Sequence, residues 1–221
     1  MSEKRTAAFF DFDKTLLAKE SAELGFKYIW KLRQVSLSYL IKIYLCARMY
    51  KWNLLSADII ASMSLKYYKG RRLQDFIDGA QEFYDEWMKP HLSPSILEKV
   101  EEHRSKGHVL VLLSAGIDYY LEKAAEDLDF DHLLCSKLEV DENGICTGKT
   151  NGSLLLGGNK MIAASAFALR ENIDLESSHA YSDHHSDIPL LEYVGYPVAV
   201  RPTRPLRKTA IRRGWSIIDE P

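Results

Sequence analysis

"TAAFFDFDKT", residues 6–15, decides how this chain is read. It opens as an apolar run without polar alternation, the pattern of a strand covered on both faces. Two aspartates, Asp11 and Asp13, stand where the run stops, and Lys14 and Thr15 follow. Three further runs read as buried strands: "HVLVLLSA" (108–115), "HAYSD" (179–183) and "YPVAV" (196–200). Stretches with helical spacing, 94–106, 118–127, 159–172 and 186–194, lie between or beside them. Strands that alternate with helices predict an α/β fold, here a Rossmann-like three-layer core with a parallel sheet and helices on both faces.

Residues 18–89 break that rhythm. They hold no strand pattern, and "KYIWKLRQVSLSYLIKIYLCARMY" and "LQDFIDGAQEFYDEWM" read as amphipathic helices. A helical block placed directly after the first strand predicts an inserted cap over the carboxyl end of the sheet, where open α/β folds bind ligands. The expected division is a core of 1–17 and 90–221 with a cap of 18–89. "LEVDENGICTGKT" (138–150) predicts a small β-hairpin around the turn "DENG". Within it, Gly144 to Thr150 spells G-x-x-x-G-K-T, one residue short of a P-loop and without the helix such a loop opens.

Composition narrows the classes. Hydrophobic residues are 46%, charged residues 27% and the net charge is −2, so no bulk positive field draws the chain to nucleic acid. Cys46, Cys135 and Cys146 form no C-x-x-C pair, which suits reduced thiols in a cytoplasmic protein. The N-terminal apolar run reaches Asp11 too soon to read as a signal peptide. "VSLSYLIKIYLCARMYKW" (35–52) carries three basic residues and falls short of the ~18 uninterrupted apolar residues of a span, so it reads as a helix.

Polar residues follow three of the four strands: "DFDKT", "LLSAG" and "YSDHHSD". In a parallel sheet these ends meet at one crevice, which gathers Asp11, Asp13, Ser114, Asp183 and Asp187, with Lys160 from the helix before "HAYSD". Four carboxylates with one ammonium repel each other, which implies a divalent cation, and an all-oxygen donor set favours Mg²⁺. The Ser114 hydroxyl, the amides around Ala115 and Gly116, and Lys160 suit a phosphoryl group. One carboxylate can attack phosphorus, and the other, two residues on and projecting to the same side of an extended chain, can protonate the leaving oxygen and then deprotonate water.

These residues, "DFDKT", "LLSAG", Lys160 and "SDHHSD" in that order, resemble the four motifs of the haloacid dehalogenase superfamily, most closely its subfamily IB, the phosphoserine phosphatase-like branch. The resemblance covers essentially the whole chain. It implies a Mg²⁺-dependent phosphatase that hydrolyses a small phosphomonoester through an aspartyl phosphate. Asp11 is then the nucleophile and a metal ligand. Asp13 is the general acid/base and lends its carbonyl to the metal, and Asp183 is the second carboxylate ligand. Ser114, Ala115 and Lys160 bind the phosphoryl group, Asp187 is an outer-shell carboxylate, and Thr15 ties down the turn after the nucleophile. Glu20 falls where those enzymes recognise a substrate amino group. The fourth motif departs from the branch's usual G-D-G, reading Ser182, Asp183, His184, and no clear counterpart of a substrate-binding cap arginine stands in "SMSLKYYKGRR".

"AAFFDFDKT", "AYSD" and "RKTAIRRGW" also resemble the phosphatase-like portion of proteins that carry a lysophospholipid acyltransferase domain, which brings a lipid-related or glycerol-type phosphoester into view. Expected partners are thus a small phosphorylated metabolite and weak contact with a membrane surface through 25–55 and the basic run 201–213, with no nucleic acid, in a monomer or homodimer. The non-enzymatic alternative is a phospho-acceptor switch; Asp13 and the inserted helices argue against it. His184 and His185 point to opposite sides of an extended chain and do not chelate one ion together.

Overall fold

A computed structural model describes residues 4–51 and 57–220. Its centre is a six-stranded sheet, every neighbouring pair parallel, in the order β3-β2-β1-β6-β7-β8. The strands are β1 (Ala7–Phe10), β2 (Val109–Ile117), β3 (His132–Ser136), β6 (His179–Ser182), β7 (Tyr196–Val200) and β8 (Ser216–Ile218). β4 (Leu138–Val140) and β5 (Cys146–Thr150) form the separate antiparallel hairpin. No helix follows that hairpin directly, so the G-x-x-x-G-K-T segment is strand and turn.

β1 is central and all four of its residues are buried. Ala8 and Phe10 face one core, where Phe10 stacks on Tyr181 with centroids 4.5 Å apart. Ala7 and Phe9 face the other, where Phe9 meets Phe167 edge-on. Removing either ring costs about 3–5 kcal/mol, because no neighbour can fill the space. The first face is covered by α5 (Pro94–Ser105) and α6 (Asp118–Asp127), the second by α7 (Gly158–Glu171), α8 (Ile188–Leu191) and α9 (Arg204–Arg213).

Between β1 and α5 the chain makes α1 (Ser21–Lys31), α2 (Leu37–Lys51), α3 (Ala57–Leu65) and α4 (Leu73–Phe83), then a π-helical turn over Tyr84–Met88. It leaves and returns side by side: the Ala18 amide donates to the His91 carbonyl at 2.8 Å and the Ser93 amide to that of Leu16 at 2.8 Å. The stretch 27–50 is two helices. Arg33 turns left-handed at φ 55°, and Ser36 caps the next helix by accepting the Tyr39 amide. Tyr28 is buried, whereas Trp30 is 46% exposed.

β3 and β8 were not expected as strands. β3 is only partly buried and opens on His132, and β8 is three residues long. β1 also ends sooner than its sequence suggests. Asp11 to Leu17 form a turn, held by Leu16 N–H to the Asp11 carbonyl and Leu17 N–H to that of Phe12. The two aspartates therefore do not share one face of an extended strand.

Candidate active site

The carboxyl ends of β1, β2 and β6 meet as the sheet topology requires. Asp11 is 7% exposed and its Oδ1 accepts from Lys160 Nζ at 2.6 Å. Its Oδ2 accepts from the buried Thr15 hydroxyl at 3.4 Å. Lys160 reaches the site from the first turn of α7, which starts after Gly157 in a left-handed conformation at φ 54° that glycine adopts without strain. The same ammonium donates to Asp187 Oδ2 at 2.7 Å, and the Ser182 hydroxyl donates to that oxygen at 2.7 Å. Asp187 thus orients Lys160.

Asp13 is held at the amino end of α1. Its carboxylate accepts the Ser21 amide and, at 3.0 Å, the Ser21 hydroxyl. A helix start is a favourable seat for a carboxylate. Burial pushes Asp13 up to about 6, against the pull of those hydrogen bonds. Such a group exchanges a proton near neutrality.

Ser114 closes the apolar part of β2 and is 1% exposed. Its Oγ accepts the Gly116 amide at 3.0 Å, which leaves the hydroxyl hydrogen free to donate. The Ala115 carbonyl is taken by the Ser136 hydroxyl at 3.0 Å. Glu20 is not brought into the crevice; it is exposed and paired with Lys14. His184 bonds Ser186 through Nδ1 at 2.9 Å, and His185 is exposed.

Asp183 is 5% exposed, and no hydrogen-bond donor reaches its carboxylate among the described residues. Burial, and next the charge of Asp11, push it up to about 8. Burial likewise holds Asp11 above the ordinary carboxylate range despite Lys160, whose own ammonium is held charged by its two carboxylates. The cluster therefore carries more buried negative charge than Lys160 neutralises. A hard divalent cation against Asp11 and Asp183 fits the all-oxygen donor set, with a backbone oxygen such as that of Asp13 as the third protein ligand.

Two residues escaped the sequence reading. Ser21, the seat of Asp13, looked like any helix-start serine. Arg201 follows the fourth strand, and its guanidinium donates to the Lys14 carbonyl at 2.9 Å and to the Thr15 carbonyl at 2.8 Å, clamping the turn after Asp11. The available signal was positional: it is the polar residue at the end of "YPVAV", where the other three strand ends carry chemistry.

A cavity of about 290 Å³ opens beside Asp13 and runs between the sheet edge and the inserted helices. Phe26, Tyr28, Ile29, Tyr67, Phe76 and Phe83 line much of it, and among the described residues its charged lining residues are Asp13 and Asp75.

The haloacid dehalogenase-like hydrolase family model matches residues 8–192. A phosphoserine phosphatase of Mycobacterium tuberculosis is 31% identical over 220 residues, 96% of this chain and 70% of that protein. A histidinol-phosphatase of Neisseria meningitidis is 25% identical over 222 residues, 97% of this chain and 99% of that protein. Among solved structures, a protein of unknown function from Bordetella pertussis superposes with a TM-score of 0.88 at 24% identity, covering 98% of this chain and 99% of that one, a likeness of fold. The strand-end aspartates, the buried lysine between them and these matches converge: the chain belongs to the haloacid dehalogenase-like hydrolases.

Proposed function

We propose that this protein is a Mg²⁺-dependent phosphatase that works through an aspartyl phosphate on Asp11. The observation that carries the reading is the buried set of carboxylates around one ammonium, beside a hydroxyl and amides suited to phosphoryl oxygens. Mg²⁺ held by Asp11, Asp183 and the Asp13 carbonyl would supply charge neutralisation. Asp11 attacks phosphorus as the bond to the leaving oxygen breaks, and Asp13 gives that oxygen its proton. Asp13 then takes a proton from water, the water oxygen attacks phosphorus, and the bond to Asp11 breaks to release phosphate. Ser114 and Lys160 bind the phosphoryl oxygens, Asp187 and Thr15 hold Lys160 and Asp11 in place, and the helices of 18–89 act as a cap that excludes water.

The cavity bears on the leaving group. Among the described residues no basic side chain lines it, and the nearby Arg71 guanidinium is engaged by the Tyr67 hydroxyl and the Gln34 carbonyl, so a substrate carboxylate finds no ready partner there. Its aromatic walls favour an apolar or aromatic leaving group, and Asp75 offers a seat for an amine. Phosphoserine fits poorly on that ground, and an aromatic amine phosphate of the histidinol phosphate kind fits better. Glu20, exposed at the rim, keeps a role only if a closing cap turns it inward. A screen with Mg²⁺ of histidinol phosphate, phosphoserine, glycerol phosphates and lysophosphatidate tests this, and preference for phosphoserine counts against it. Loss of p-nitrophenyl phosphate turnover in Asp11→Asn tests the nucleophile; unchanged turnover rejects it.

A second reading has its own observation. Leu37, Ile41, Leu45 and Met49 recur every fourth residue along α2 and are 39–60% exposed. Between Leu24 and Ala57 the sequence holds six lysines and arginines and no carboxylate. That combination suits an anionic lipid surface and a lipid-related phosphoester. The basic run 201–213 is less suited, since Arg201 faces inward, Arg207 pairs with Asp219 and Arg213 with Glu192. Among the described residues no helix is long and apolar enough to cross a membrane. Co-sedimentation with anionic vesicles, and none with neutral ones, is the expected result; failure to pellet ends this reading. The three free thiols suit a reducing compartment.

A further inference from the structure

At the opposite end of the sheet from Asp11, three histidines from separate segments converge. His103 lies in the last turn of α5, His108 immediately precedes β2, and His179 opens β6. One ligand-capable atom from each lies within 4.8 Å of the others. Ring centroids are 5.0 Å apart for His103 and His108, 4.4 Å for His103 and His179, and 5.7 Å for His108 and His179. Imidazoles bound tetrahedrally to one ion at about 2.0–2.1 Å hold their centroids about 5 Å apart. The trio already has that spacing.

The hydrogen bonds point the same way. His103 spends Nε2 on the Tyr181 hydroxyl at 2.8 Å and turns Nδ1 toward His108 Nδ1, also at 2.8 Å. Anchoring one ring nitrogen on an oxygen while the other faces a cluster is how metal-binding histidines are oriented. The two Nδ1 atoms share one proton, and a cation in its place would open their separation to about 3.3 Å. Neither nitrogen of His179 hydrogen-bonds among the described residues; its ring stacks on Tyr196, with centroids 4.7 Å apart and planes 18° apart. The hydrogen-bond network accounts for the facing nitrogens of His103 and His108 and leaves those of His179 without a protein partner among the described residues, while its ring packs on Tyr196. Glu102 is nearby, and its carboxylate is held by Lys99 and Lys106.

We propose that His103, His108 and His179 form a second metal site that takes a borderline divalent ion of the zinc type, with solvent as the fourth ligand. Imidazole donors select such ions over Mg²⁺. His108 and His179 are only partly buried, so ion and solvent can enter. Four residue steps along and just past β6 separate His179 from Asp183, about 13 Å, so this ion touches no phosphoryl group. It ties the end of α5 to the starts of β2 and β6.

Untagged full-length protein, stripped with a chelator, is titrated with Co²⁺ alone and followed by visible absorption. One Co²⁺ per chain with the bands of a four- or five-coordinate nitrogen site is expected, displaced by Zn²⁺ and unaffected by excess Mg²⁺. His108→Gln and His179→Gln each abolish those bands and keep p-nitrophenyl phosphate turnover with Mg²⁺. Tyr181→Phe keeps the bands with affinity weaker by roughly 10-fold or more. Absence of the bands in the wild type overturns the proposal. So do bands that survive both histidine substitutions, or that vanish instead in Asp183→Asn.

Discussion

Replacing Asp183 by asparagine should make the metal-free protein more stable while it destroys the response to Mg²⁺. In the folded chain Asp183 is 5% exposed and raised to about 8, against about 3.9 in an unfolded chain. A raised carboxylate favours folding fully below the unfolded value, and that contribution is lost as pH climbs through the folded one. At pH 7 the unfolded chain has released a proton that the folded protein still holds, over about three pH units, which amounts to about 4 kcal/mol. Asparagine has the same size and no charge, and its unpaired amide offsets about 1–2 kcal/mol of the gain. The net gain is about 2–3 kcal/mol, or roughly 4–12 °C in Tm for a chain of this length. Mg²⁺ at a hundred times its Kd should stabilise the wild type by about 2.7 kcal/mol and the variant not at all. Thermal unfolding at pH 5, 7 and 8, with chelator or with Mg²⁺, reads both effects. The wild type without metal should lose Tm across that range more steeply than the variant. A variant that melts below the wild type in chelator, or that Mg²⁺ stabilises equally, refutes the reasoning.

Lys160→Met leaves Asp11 and Asp187 buried without their shared cation; urea unfolding should show a loss of about 3–5 kcal/mol, and wild-type stability would contradict the pairing. Asp13 serves as acid only while protonated, so transfer from alkyl phosphates should decline as pH rises through about 6. Asp13→Asn should slow those substrates by about 10²–10⁴-fold and slow phosphoenzyme formation from p-nitrophenyl phosphate, a better leaving group, much less; equal losses in rapid-quench assays argue against the role. Arg201→Gln removes two charge-assisted hydrogen bonds to the turn after Asp11, so kcat should fall with KM little changed and amide exchange at 13–16 should quicken. Arg201→Lys should not rescue it, because the guanidinium serves both carbonyls through Nη2 while Nη1 is fixed on the Ser93 hydroxyl and the Glu220 carbonyl, and one ammonium does not reproduce that planar set of donors.

The core was legible because β1, β2, β6 and β7 are buried on both faces and so read as apolar runs. β3 lies at a sheet edge with partly exposed residues, and the three residues of β8 are too few to show a pattern. The sequence grouped Asp11, Ser114, Lys160, Asp183 and Asp187 because parallel strands end at one place; all five are buried, and Lys160 bonds Asp11 and Asp187. What the pattern could not carry was direction. The turn after Asp11 sends Asp13 to Ser21 instead of to the face it would share on an extended strand, and Glu20 pairs with Lys14 at the surface. The cavity was hidden for a related reason: its walls come from helices whose angles no local spacing sets, so the aromatic character of its lining shows only in three dimensions.

The central claim is a covalent bond between Asp11 and phosphorus. Protein mixed with Mg²⁺ and a phosphoryl-labelled substrate, quenched in acid within the first turnover and digested, should carry one label per chain on the peptide that contains Asp11. Asp11→Asn should carry none. Label on any other residue, or full turnover with no labelled peptide at any quench time, contradicts the account.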